Sequence, residues 1–215
     1  MGAIIRLLFD ELIDLINAYY KSKKTPVPEK PQEERVVMFR NKAVLLQAAS
    51  QIGVKEVPGE KSNPKIVEYH KYSTIKNAFG FSDSVPWCAS FVAWCLEKVG
   101  MQSTNKQLAR SYEKWGMSVK AAPLPGDIVT FWRTSPKSGY GHVGFFLKKT
   151  PKGIYILGGN QNDSVNITLF PTTKLTDIRR SSKAGVYTEA QIEELHFLAN
   201  QIMSGEVIAQ VGTLT

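Results

Sequence analysis

The sequence predicts an α+β protein, and three observations carry that prediction. Helical patterns dominate up to residue 115. The punctuation PLPGD at residues 123–127 then marks a change of period. Five strand-like runs follow it: DIVTFW, GHVGFFL, GIYILGG, SVNITLF and a short one around DIRR. The expected architecture is one buried helix on an antiparallel sheet of about five strands, with helical extensions at both ends.

Residues 3–20 read as an amphipathic helix, with Ile5, Leu8, Leu12, Ile16 and Tyr19 on one stripe. Asp10, Glu11 and Asp14 interrupt the apolar run, so neither a Sec signal peptide nor a membrane span is expected. Arg6 stands where myristoylation at Gly2 would want serine or threonine. Packing on its own domain or on a twin, and contact with a membrane surface, are both open to this helix. Residues 21–35 (KSKKTPVPEKPQEER) form an extended linker. The expected domains are therefore residues 1–35, helix and linker; 36–183, the compact domain; and 184–215, a helical extension.

Within the compact domain, Ala43, Leu45, Leu46, Ala49 and Ile52 predict a helix ending at Gly53. Turns at Pro58-Gly59 and Asn63-Pro64 precede a short helix carrying Ile66, Val67 and Tyr69. Residues 84–99 form the most apolar helix of the chain, with Pro86 in its first turn, where the N–H groups have no internal partner. Trp87, Phe91, Trp94 and Leu96 with Cys88, Val92, Cys95 and Val99 make it apolar nearly all round, so it is expected in the middle of the domain. A further helix is expected over residues 105–115, and a last one within TEAQIEELHFLANQIMSG, behind the sheet.

Of the 215 residues, 43% are hydrophobic and 21% charged, enough for a core without disulfides or structural metal. Lysine and arginine exceed acids by 27 to 19, giving +8, which suits polyanionic partners: nucleic acid, anionic lipid or a charged wall. No helix-turn-helix, zinc finger or aromatic RNA-binding motif appears, which argues against nucleic acid. Two cysteines, Cys88 and Cys95, stand seven residues apart. On one helix that is about 10 Å, too far for a disulfide. No metal or cofactor site is expected.

Cys88 at a helix start is placed for thiolate chemistry, since first-turn N–H groups and the helix dipole favour the anion. Cys95, two turns deeper, reads as core. Among three histidines, His70 and His196 sit in polar helices, whereas His142 follows a glycine- and serine-bearing loop and opens a strand. On a period of two, His142, Gly144 and Phe146 share one face, and Val143, Phe145 and Leu147 the other. Gly144 would leave room for a helix N-terminus to approach. A hairpin turning near residues 151–153 brings Asn160 close to the level of His142. Asn160 is then the candidate to orient the imidazole, with Gln161 and Asp163 behind it. Trp87, Trp132, Arg133, Lys137 and Tyr140 suggest a substrate cleft, although Trp132 serves equally well as sheet core.

The blocks VPWCASFVAWCLEKVG, PGDIVTFW, GHVGFF and ILGGNQNDSVNI, in this order, resemble the CHAP and NlpC-type cell-wall hydrolases. The similarity runs over about residues 41–182 and is nearest to the subgroup found in phage lysins and other bacteriolytic proteins. It implies a papain-like fold without cofactor, with Cys88 as nucleophile, His142 as base and Asn160 as orienting group. Trp87, Trp132, Tyr140 and Gln161 would line the substrate. The implied reaction is cleavage of peptidoglycan amide bonds, as an endopeptidase or an N-acetylmuramoyl-L-alanine amidase. Trp87 replaces the Gln or Asp usual before the nucleophile, which leaves the backbone N–H of Cys88 for the oxyanion. Competing readings are a wall-binding module without turnover and a thiol acyltransferase. Action at the wall would need delivery by a holin, a phage tail or a secretion system, the last implying an immunity protein.

Overall fold

The computed structural model describes residues 40–59, 61–73 and 82–206. The helix expected over residues 3–20, the linker and the boundary at residue 36 lie outside these. Helix α1 spans Arg40–Ala49, α2 Pro64–His70 and α3 Cys88–Lys98. Six strands follow: β1 Met117–Ser118, β2 Ile128–Trp132, β3 Gly141–Thr150, β4 Gly153–Gly158, β5 Asn166–Phe170 and β6 Leu175–Arg180. Helix α4, Glu189–Ser204, closes the described chain. The sheet is antiparallel, in the order β1-β6-β2-β3-β4-β5, and the α+β class read from the sequence is correct.

Helix α3 lies at the centre because its surface is apolar all round. Trp87, Phe91, Val92 and Cys95 are fully buried, and Phe91 meets Tyr69 and Phe145 edge-on at 5.4 and 6.3 Å. Phe91 and Val92 each contribute about 1.5–3 kcal/mol on burial. The indole N–H groups are satisfied at the helix edges: Trp87 donates to Glu56 and Trp94 to Glu68, both at 2.8 Å. Strand alternation divides the sheet as expected. Val143, Phe145 and Leu147 join the helix-side core, and Phe146 joins a second cluster with Phe131, Ile154 and Ile156.

Three local expectations need correction. Helix α3 begins at Cys88, not at residue 84, because Trp87 takes a non-helical conformation (φ −119°, ψ 8°) and becomes the N-cap. Pro86 therefore precedes the helix. The helix expected over 105–115 is a single 3-10 segment, Ala109–Lys114, since Asn105 adopts a left-handed φ of 52° that breaks a helix there. The two-residue strand β1, paired with Arg179 and Arg180, is too short and polar to leave a periodic signal.

The PLPGD punctuation proves to be a buried electrostatic joint. Asp127, 1% exposed, accepts from Asn41 on α1, from the Leu124 N–H and from two nitrogens of Arg180 at 2.8 and 2.7 Å. Gly126, at φ 89°, leaves no room for a Cβ against Asn41. One carboxylate thus ties α1, the β2 entry and β6 together.

Candidate active site

Cys88 is the first residue of α3, and no side chain caps that end. Phe91 N–H makes the first intrahelical bond, to Trp87 O at 2.8 Å, so the preceding amides are left for other acceptors. The Cys88 sulfur draws on the N–H groups of Cys88, Ala89 and Val143, which favour the thiolate together with the charge of Arg133. Burial is the larger influence and pushes the thiol up, so the resting group is a thiol. Trp87 cannot serve substrate: it is fully buried, with its indole N–H committed to Glu56. Its place in the expected cleft is corrected, and the bulk that removes it from the surface is what seats the helix end.

The glycine that admits this helix end is Gly159, not Gly144. A Cβ at Gly159 would stand 2.4 Å from the Trp87 ring and 2.8 Å from Phe91 Cβ. At Gly144 the neighbours are Leu157 O and Ile156 of β4. The β3–β4 pairing runs only to Phe145↔Leu157, three residues short of His142. Beyond that point the Val143 N–H is free of the ladder and available to the Cys88 sulfur.

His142 is fully buried, its ring flat on Phe170 (4.9 Å, 6°). Continuing the hairpin register would put Asn160 opposite it. The chain turns at that residue instead, with Asn160 at φ 56°, and Gln161 folds back into the site. Gln161 Oε1 lies 3.0 Å from His142 Nε2. The residue that contacts the imidazole is therefore Gln161, and Asn160 serves as the turn that delivers it. Gln161 Nε2 donates to Asn166 O and Oδ1 at 2.6 and 3.0 Å. That fixes the amide orientation, so Oε1 accepts and His142 carries its proton on Nε2. Nδ1 keeps its lone pair and faces Arg133 Nη2 at 3.5 Å. Burial, reinforced by Arg133, holds the His142 pKa down to about 4 against the opposing bond from Gln161. Among the described residues no hydrogen bond joins Cys88 to His142; the Arg133 guanidinium acts on both.

The remaining cleft candidates surround this group. Trp132 is half-buried, with its indole N–H toward Thr173 O and Lys174 over its ring at 5.5 Å, while Tyr140 is 67% exposed. Asp163, at φ 58°, is a turn residue. Asn166 was missed in the sequence because its role depends on β5 returning beside the turn. Cys95 is buried core. His70 is not a surface residue: it is fully buried, bonded to Ser90 Oγ and Ser82 O. Among the described residues no cluster of His, Cys, Asp or Glu is placed to hold a metal ion. A polar cavity of about 300 Å³, bordered by Arg40, Met101, Trp115 and Lys183, includes none of Cys88, His142 or Gln161.

A buried thiol at a helix start, reached by the N–H that follows a neutral, oriented imidazole on β3, supplies the group types that thiol hydrolases use. Residues 80–162 match the family model of the CHAP domain. CHAP domains are in general amidases or peptidases. A solved structure described as similar to a lipoprotein of the NLP/P60 family, from Staphylococcus aureus subsp. aureus Mu50, is 16% identical with a TM-score of 0.40. The match covers 66% of this chain and 41% of that one, so the chain spans about two fifths of that protein's length. No curated protein matches the chain.

Proposed function

We propose that this chain is a peptidoglycan hydrolase that cuts an amide bond of the wall, as an endopeptidase or an N-acetylmuramoyl-L-alanine amidase, with bacteriolytic effect. The observation that carries the reading is the 3.0 Å contact of His142 Nε2 with Gln161 Oε1, which assigns the proton to Nε2 and leaves a lone pair on Nδ1, on the strand whose next N–H reaches the Cys88 sulfur. In the reaction, Nδ1 takes the thiol proton and the sulfur attacks the amide carbonyl. The uncapped amides at the start of α3 receive the oxyanion. The imidazolium then protonates the leaving amine, and water attacking the thioester returns free thiol and acid. Gln161 holds the ring throughout, taking the orienting role first expected of Asn160.

Purified sacculi incubated with the protein, followed by mass spectrometry of the released muropeptides, test the reading and name the bond. Cys88→Ala and His142→Ala are expected to fold and release nothing. Undiminished release by either variant would remove the assignment. The proposal requires that the protein reach the wall side, by lysis, a phage particle or a secretion system. Lysis of cells only when the protein is placed on the wall side would fit that requirement.

A further inference from the structure

Arg133 follows β2 directly, and its backbone is pinned: its N–H donates to Tyr140 O at 2.9 Å and its carbonyl accepts from Ser138 Oγ at 2.6 Å. The side chain is exposed, yet its guanidinium stands 3.5 Å from the lone pair of His142. Arg110, Arg179 and Arg180 each hold a carboxylate, from Glu113, Asp177 and Asp127. Among the described residues no carboxylate pairs with Arg133. Cys88 is 6% exposed and His142 0%. Of the side chains hydrogen-bonded to or stacked on His142, Gln161 is buried, Phe170 half-buried and Arg133 exposed.

We propose that Arg133 reads a carboxylate on the substrate beside the scissile amide, and that its guanidinium covers the free nitrogen of His142 until that carboxylate draws it away. This rests on the hydrolase reading above and specifies its substrate: an anionic peptide, rather than a fully amidated one. A planar guanidinium offers two parallel N–H groups to a carboxylate, a far better acceptor than an imidazole nitrogen at 3.5 Å. The exchange bares Nδ1 for the thiol proton only when the correct ligand is present, which couples recognition to activation.

The test uses soluble muropeptides with free carboxylates and the same muropeptides converted to carboxamides. In the Cys88→Ala protein, calorimetry should show the free acids bound about tenfold more tightly, the scale of one charge-assisted pair. Adding Arg133→Met should bring the ratio close to one, and Arg133→Lys should restore part of it. In the active protein, kcat/KM should show the same preference and the same loss. The acid limb of the Arg133→Met profile should also move toward neutral pH, because the cation that depresses His142 is gone. A purely structural role would lower both substrates alike and leave ratio and limb in place; that result overturns the proposal. If the binding preference follows Arg133 but wild-type protein cleaves neither substrate, carboxylate recognition stands and the hydrolase reading falls.

Discussion

At the scale of single residues, the decisive contact is between His142 and Gln161. Gln161→Ala should lower kcat at least tenfold with little change in KM, because the ring loses the acceptor that sets its tautomer. Asn160→Ala keeps that acceptor and should act mainly on stability, through the left-handed turn. Comparing the two variants on one substrate separates the roles; an equal loss of kcat would return Asn160 to the machinery. Burial of His142 also makes a thermodynamic prediction. Its folded pKa, about 4, lies below the usual imidazole value of 6.5, so the unfolded chain binds the proton first as pH falls. The stability of the neutral ring is complete above about pH 6.5 and drains away toward pH 4, by about 3 kcal/mol. His70, also lowered by burial, pulls the same way. Urea midpoints of wild type and His142→Gln, each at pH 7 and pH 5, should show the smaller acid loss in the variant. The positions of Cys88 at a helix start and of His142 at a strand mouth were legible in the sequence. The choice of Gln161 over Asn160 was not, because one backbone φ decides which side chain turns inward.

At the scale of elements, the junction of α3 with β4 carries the site. Gly159→Ala would drive a methyl group into Trp87 and Phe91, at a cost of about 1–3 kcal/mol. It would also push Cys88, the next residue after Trp87, off Val143. A lowered urea midpoint with reduced turnover is expected; normal values for both would show that the helix end yields without consequence. Remote capping should behave differently. Thr188 and Gln191 form a reciprocal capping box on α4, so Thr188→Ala should lose about 1 kcal/mol of stability and leave kcat unchanged. The strands after PLPGD were readable because hairpin-linked runs keep their apolar period. Residues 101–115 were not: their conformation follows from a left-handed Asn105 and from packing on β2 and β3, neither of which has a periodic signature.

At the scale of the whole molecule, Asp127 unites distant segments. Asp127→Ala should cost about 3–5 kcal/mol, since it strands the half-buried Arg180 guanidinium and releases Asn41 together. A urea midpoint within error of wild type would contradict this account. Order within the sheet also matters for anyone recombining this domain with other modules. The recognised CHAP stretch closes at residue 162, but Asn166, which locks the Gln161 amide, and Phe170, the platform under the imidazole, come later. The last strand, β6, then slots between β1 and β2 and brings Arg180 to Asp127. A graft that stopped at the family boundary would carry Cys88 and His142 yet leave behind Asn166 and Phe170, which hold Gln161 and the imidazole in place; a transferable unit has to run through residue 180.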